Sequence, residues 1–119
     1  MNLTIDVAGR DSLTANQRLH WAEKARRTKA IRTKAAWAAF RQGTQYTRAH
    51  VLVTVTFQDA RRRDVYNWHL TVKAIIDGLV DAGVIPDDSD KYLTGPDMRP
   101  GTPHRQHGLI RFHLEVTPR

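Results

Sequence analysis

The chain has 119 residues, 19 lysines and arginines against 12 acids for a net charge of +7, and no cysteine. That length bounds it to one domain, residues 1–119, with one core and no room for separate catalytic and binding modules. Disulfides and thiolate metal sites are excluded, and no apolar run approaches the roughly 20 residues of a membrane span.

The N-terminal stretch MNLTIDVAGRD lacks the basic-then-apolar order of a signal peptide, so a soluble, intracellular protein is expected. Leu3, Ile5 and Val7 alternate with Thr4 and Asp6, the period-two pattern of a half-buried strand. Gly9 to Asn16 reads as a loop. From about Leu19 to Arg41 the chain is rich in Ala, Lys and Arg and free of Gly and Pro, which predicts a long helix ended by Gly43. Trp21, Ala25, Ala36, Trp37 and Phe40 are expected to face the core, with Lys24, Arg27, Lys29, Arg32 and Lys34 in solvent. The apolar side of this helix is mostly alanine, suited to close packing on a sheet and poorly suited to a bilayer surface, so no membrane partner is expected.

Val51, Val53, Val55 and Phe57 alternate with Leu52, Thr54 and Thr56 in the clearest strand of the chain. A second helix is predicted from about Trp68 to Ala82, because Trp68, Val72, Ile75, Ile76 and Leu79 fall on one stripe. Gly83 is placed to cap it and Pro86 prevents its continuation. A short strand around Tyr92 to Thr94, a Gly-, Pro- and His-rich loop from Gly95 to Gly108 and a last strand from Leu109 to Val116 complete the chain. The order β-α-β-α-β-β gives an α+β class: a small mixed sheet with two main helices packed on one face.

The cationic excess is mostly arginine, which grips phosphate with two parallel hydrogen bonds and suits a nucleic-acid partner. Within it stands RRRDVYNWHLTVKAIIDGLVDAGVIPDDSDK, Arg61 to Lys91. Asp64 precedes the second helix; Asp87 and Asp88 follow it. That helix is roughly 20–25 Å long, so Asp88 approaches the helix middle only if the chain after Gly83 turns back along it. Lys73 and Asp77, four residues apart, are neighbours on the flank of the buried stripe, and His69 shares that flank. A loop passing over it would assemble His69, Lys73 and Asp77 with Asp88.

Two readings compete. In the ordinary one, Asp64 or Asn67 caps the helix, Lys73 and Asp77 form an exposed ion pair, and Asp87, Asp88 and Asp90 are turn residues. In the chemical one, acids sit inside a basic surface because a divalent cation stands between them and a phosphate. Magnesium, or manganese in its place, takes a few carboxylates plus water and substrate phosphate. Lysine then stabilises charge developing on phosphorus, and Arg61, Arg62 and Arg63 hold the flanking backbone. His104 and His107 have a spacing that could hold a metal but no third ligand nearby; a DNA contact or a plain exposed loop is the preferred reading there.

Arg62-Arg63-Asp64, Asn67, Lys73, Asp77-Gly78-Leu79, Ala82-Gly83 and Asp87-Asp88, taken in order, resemble the RusA family of Holliday junction resolvases. Asn16-Gln17-Arg18-Leu19-His20-Trp21 resembles that family's N-terminal motif. No single piece is specific; the ordered combination, which covers most of the chain, is more so. The resemblance implies a homodimeric, magnesium-dependent endonuclease. Such an enzyme cuts four-way junction DNA during recombination, repair or phage DNA processing, in the cytoplasm of a bacterial host and encoded by a phage or prophage. It implies Asp64, Lys73 and Asp88 as catalytic residues and Asp64 and Asp88 as metal ligands, with Asp77 and Asp87 as further candidates. It implies Arg18, Arg61, Arg62, Arg63 and Asn67 as DNA contacts.

One departure bears on activity. The family motif has a second aspartate, D-x-D-N, where this chain reads Asp64-Val65-Tyr66-Asn67. A phenol with a pKa near 10 is a poor magnesium ligand. Asp77, Asp87 or Asp59 are candidates to supply the missing charge. The alternative expectation is a relative that binds branched DNA without efficient cleavage.

Overall fold

The computed structural model describes residues 1–119 and contains four strands and two helices. In chain order they are β1 (Asn2–Ala8), α1 (Trp21–Phe40), β2 (Ala49–Thr56), α2 (His69–Asp81), β3 (Leu93–Pro100) and β4 (Leu109–Pro118). Short 3-10 turns occupy Gly9–Asp11 and Val65–Trp68. The sheet order is β1-β4-β2-β3. β4 runs antiparallel to both neighbours, while β2 and β3 are parallel. Three strands therefore share one direction. Parallel strands cannot be joined by a hairpin, and α1 and α2 supply the two crossovers. The expected mixed α+β architecture is the one observed.

Alternation decides which sheet face the helices cover. Leu3, Ile5, Val7, Val51, Val53, Val55, Phe112, Leu114 and Val116 are all buried. The intervening residues line up across the other face, Thr4 beside His113 and His113 beside Thr54. From α2, Val72, Ile75, Ile76 and Leu79 are buried as their spacing requires, each contributing about 1.5–3 kcal/mol of apolar transfer. Trp68 lies in the turn before α2 and packs edge-on against Phe57, with ring centroids 4.9 Å apart.

The orientation of α1 differs from expectation. Its buried residues are Ile31, Ala35 and Ala39, while Trp21, Trp37 and Phe40 are 77%, 60% and 64% exposed. The cause is Gly78 of α2. A Cβ placed on Gly78 would stand 2.5 Å from the Arg32 carbonyl oxygen and 2.8 Å from the Ala35 Cβ. Backbones this close leave space only for small side chains, so the alanine stripe turns inward and the aromatic rings turn out.

The third strand also differs, running eight residues to Pro100 where a short strand and a loop were expected. Pro96 and Pro100 lack an N–H, but β3 is an edge strand, where proline is tolerated, and a register shift between His50 and Leu52 absorbs the irregularity. Helix boundaries follow local chemistry. His20 caps α1, its Nδ1 accepting from the Ala22 N–H at 3.2 Å. Gly83, at φ 79°, ends α2 in the left-handed conformation, and the Val84 N–H donates to the Leu79 carbonyl at 3.0 Å. Val84 and Ile85 are then buried, which holds the chain against the helix it has just left.

Candidate functional site

His69, Lys73, Asp77 and Asp81 recur every four residues and so share one stripe of α2. At its centre, the Lys73 ammonium donates to Asp77 Oδ1 at 2.8 Å and to the Asp88 carboxylate. Asp88 reaches it because the Gly83 cap and the buried Val84–Ile85 anchor turn the chain back along the helix. The return on which that approach depended is present. The hydrogen bond it donates to Asp77, then that to Asp88, hold the Lys73 ammonium above its ordinary pKa. Lys73 in turn holds the Asp88 carboxyl below the usual carboxylate value. One ammonium thus bridges two carboxylates.

Asp64 lies outside this cluster. Its Oδ1 accepts from the Tyr66 N–H at 3.0 Å, capping the turn Val65–Trp68, and it forms no ion pair. His69 is on the stripe, but its Nδ1 faces the Tyr66 carbonyl at 3.1 Å. Asp87 is exposed beside Asp88. No three acidic or histidine side chains converge as a metal-holding group. The pair that fits a divalent cation is Asp77 and Asp88, because the Lys73 ammonium already occupies a cationic position between them. Two carboxylates completed by water and substrate phosphate form a common magnesium environment.

The three arginines before Asp64 have different surroundings. Arg63 is largely buried, its Nη1 2.9 Å from Asp59 Oδ1 and its guanidinium 4.5 Å from the Phe57 ring centre. This brace, with the Arg61 N–H, depresses the Asp59 carboxyl and commits Asp59 to the loop between β2 and α2. Arg61 is exposed and only 3.9 Å from Asp59, and Arg62 is exposed with no ion pair. Arg61 and Arg62 are thus the arginines free to meet phosphate.

Asn67 has a backbone role: its carbonyl accepts from the Ala15 N–H at 2.8 Å. The preceding loop is pinned more firmly by buried Thr71, whose hydroxyl accepts from the Leu13 N–H and donates to the Leu13 carbonyl, both at 2.8 Å. Each such bond is worth about 1 kcal/mol net. Together they hold the Asn16–Trp21 stretch against α2, where exposed Arg18 lines a small cleft with Lys24 and Leu70. Both ring nitrogens of His104 are engaged, one with the Leu109 carbonyl and one with the Gln106 N–H, leaving no free nitrogen for a metal.

The outward aromatic face of α1 was not anticipated from the sequence. The signal that identifies it is the pairing of Gly78 with the four-residue repeat Ile31, Ala35, Ala39, which competes with the bulkier Trp21–Trp37–Phe40 set for the inner position. A scan of the chain against protein-family models gives no match, and a search of curated proteins gives none.

Proposed function

We propose that this chain is a RusA-like, metal-dependent endonuclease that cuts four-way DNA junctions. The observation carrying this reading is the loop return that sets Asp88 and Asp77 around Lys73 on a domain of net charge +7. Carboxylates gathered on a cationic surface are otherwise at odds with a phosphate ligand. A bound magnesium ion would polarise the scissile phosphodiester and lower the pKa of an attacking water. Asp88 and Asp77 would hold it, releasing the Lys73 ammonium to face the phosphate and stabilise the charge that grows there. Arg61 and Arg62 would grip the flanking backbone, positioning the strand without reading its sequence.

A homodimer belongs to this reading, since paired cuts need two sites related by a twofold axis. The C-terminal half of α1 supports it. Trp37 and Phe40 pack edge-to-face at 6.2 Å beside Ala36 and Ala82. The one charged side chain lining it, Asp81, is paired with Arg32 at 2.5 Å. A neutral apolar face on a cationic molecule is where two like copies approach with least repulsion.

A second reading, junction binding without efficient cutting, is favoured by Tyr66 at the place of the family's second aspartate and by the use of Asp64 as a cap. One experiment separates the two. Four-way junction, linear duplex and single strand are incubated with the protein, with and without magnesium, and its mass is measured by sedimentation. The nuclease reading expects magnesium-dependent cutting of the junction alone, twice the 13.6 kDa chain mass, and loss of cutting with retained binding in Asp88→Asn. Junction binding without cutting in magnesium or manganese leaves the second reading.

A further inference from the structure

A groove of about 660 Å³ along the N-terminal half of α1 is lined by Trp21, Lys24, Ala25 and Lys29, with Arg32 and, from α2, Asp81. Trp21 is 77% exposed, and its nearest aromatic neighbour is His20, with ring centres 5.5 Å apart. Its outer face is therefore open. Arg32 clamps Asp81 through two hydrogen bonds of 2.5 and 2.7 Å. Neither Lys24 nor Lys29 forms an ion pair, so their two charges are uncompensated. The lysines are five residues apart, about 7.5 Å along the axis and about 140° around it, so they flank Trp21 on opposite sides, where phosphates on either side of a stacked base would lie. Thr28 and Thr33 add hydroxyl groups to the lining.

We propose that this groove is a single-stranded DNA site, in which Trp21 stacks on one unpaired base while Lys24 and Lys29 hold the adjoining phosphates. The pairing of an open aromatic face with unpaired cations is what sequence-tolerant single-strand recognition requires. A base inside a duplex offers no free face to the indole, and an acidic peptide would engage the lysines but have no use for the ring. Asp81, at one end of the groove, lies one α2 turn beyond Asp77 of the Lys73 cluster. The inference rests on the branched-DNA reading for the source of its unpaired strand.

The test is fluorescence anisotropy of a labelled oligo-thymidylate of about ten nucleotides, the length one small single-strand site covers. The wild type is compared with Trp21→Ala, Trp21→Phe and the double variant Lys24→Ala/Lys29→Ala, and thermal melts confirm that each is folded. Trp21→Ala is expected to bind about 5- to 150-fold more weakly, the range for losing one stacked base, with Trp21→Phe recovering most of the loss. The double lysine variant is expected to lower the salt slope by about 1.4. Unchanged binding in Trp21→Ala overturns the proposal. So does displacement of the oligonucleotide by polyglutamate at equal charge, which would make the groove a general anion site. Junction cutting with the same proteins separates the two readings. If the wild type cuts junctions while Trp21→Ala binds the oligonucleotide normally, the groove alone fails. If oligonucleotide binding depends on Trp21 but junctions stay whole, the nuclease reading alone fails.

Discussion

Lys73 and Asp88 lie 15 residues apart in the chain and meet as an ion pair on the flank of α2. Two local events bring them together: the left-handed Gly83 that ends the helix, and the burial of Val84 and Ile85 that presses the returning loop down. The lysine also holds Asp77. An ammonium between two carboxylates makes the pair of acids tolerable without another cation, and it also competes with any cation that enters. Lys73 thus sets both the charge and the availability of Asp88.

This pairing predicts a pH window. The Asp88 carboxyl is depressed from its ordinary 3.8 by the Lys73 hydrogen bond. Its contribution to stability is present above that ordinary value and is lost as pH falls through the lower folded value. The Lys73 ammonium is raised above 10.5 by Asp77 and Asp88. Its contribution is present below 10.5 and is lost as pH rises through the higher folded value. The side chains are 55% and 33% exposed, so the pair contributes below about 1 kcal/mol. A carbon-detected NMR titration of the Asp88 carboxyl is the sensitive measurement. In Lys73→Met its midpoint is expected to rise toward the ordinary value; an unmoved midpoint would refute the pairing.

The helix seam gives a stability prediction. Gly78→Ala would place a methyl group 2.5 Å from the Arg32 carbonyl oxygen, 2.8 Å from the Ala35 Cβ and 2.9 Å from the Ala36 nitrogen. Two of these atoms are backbone in the middle of α1 and cannot turn aside. Alanine raises helix propensity by about 1 kcal/mol, yet overpacking at such a seam costs typically 1–3 kcal/mol, occasionally more, and contacts this short belong at the upper end. A lower urea midpoint at an unchanged m-value is expected. A midpoint at or above wild type would show that α1 and α2 separate freely.

The strands β1, β2 and β4 and the helix α2 were legible in the sequence because each has one clean hydrophobic period and no rival for its inner face. Gly83 was legible as the cap for a related reason, while the return to Asp88 stood only as a condition, because the burial of Val84 and Ile85 that secures it is a tertiary effect. The face of α1 was not legible. Its alanines and its aromatics lie on different sides, and ranking by hydrophobicity selects the aromatics; the inner side was decided by a glycine on another helix. Asp64 was ambiguous for a physical reason too. A carboxylate before a helical turn suits a cap and a metal ligand equally, and in the folded chain it accepts the Tyr66 N–H. Arg63 offered no sequence sign that it would turn inward over Phe57.

Tyr66 gives the sharpest test of what the acids do. Its side chain is 57% exposed, so replacing it removes little packing, and the backbone N–H that caps to Asp64 is present whatever the side chain. Tyr66→Asp adds a carboxylate two residues after Asp64 on a turn already ordered for it. If the nuclease reading holds and the acidic set is one ligand short, this variant needs less magnesium than wild type and cuts four-way junctions faster. Without metal it binds them slightly more weakly, because an added anion repels phosphate. If Asp77 has already taken the missing role, Tyr66→Asp changes cutting little, while Asp77→Asn abolishes it and leaves binding intact. The rate of junction cleavage across a magnesium series, measured for wild type and both variants, distinguishes these outcomes. Junctions bound but uncut by wild type and Tyr66→Asp alike, in magnesium and in manganese, would leave junction recognition as the function of the chain.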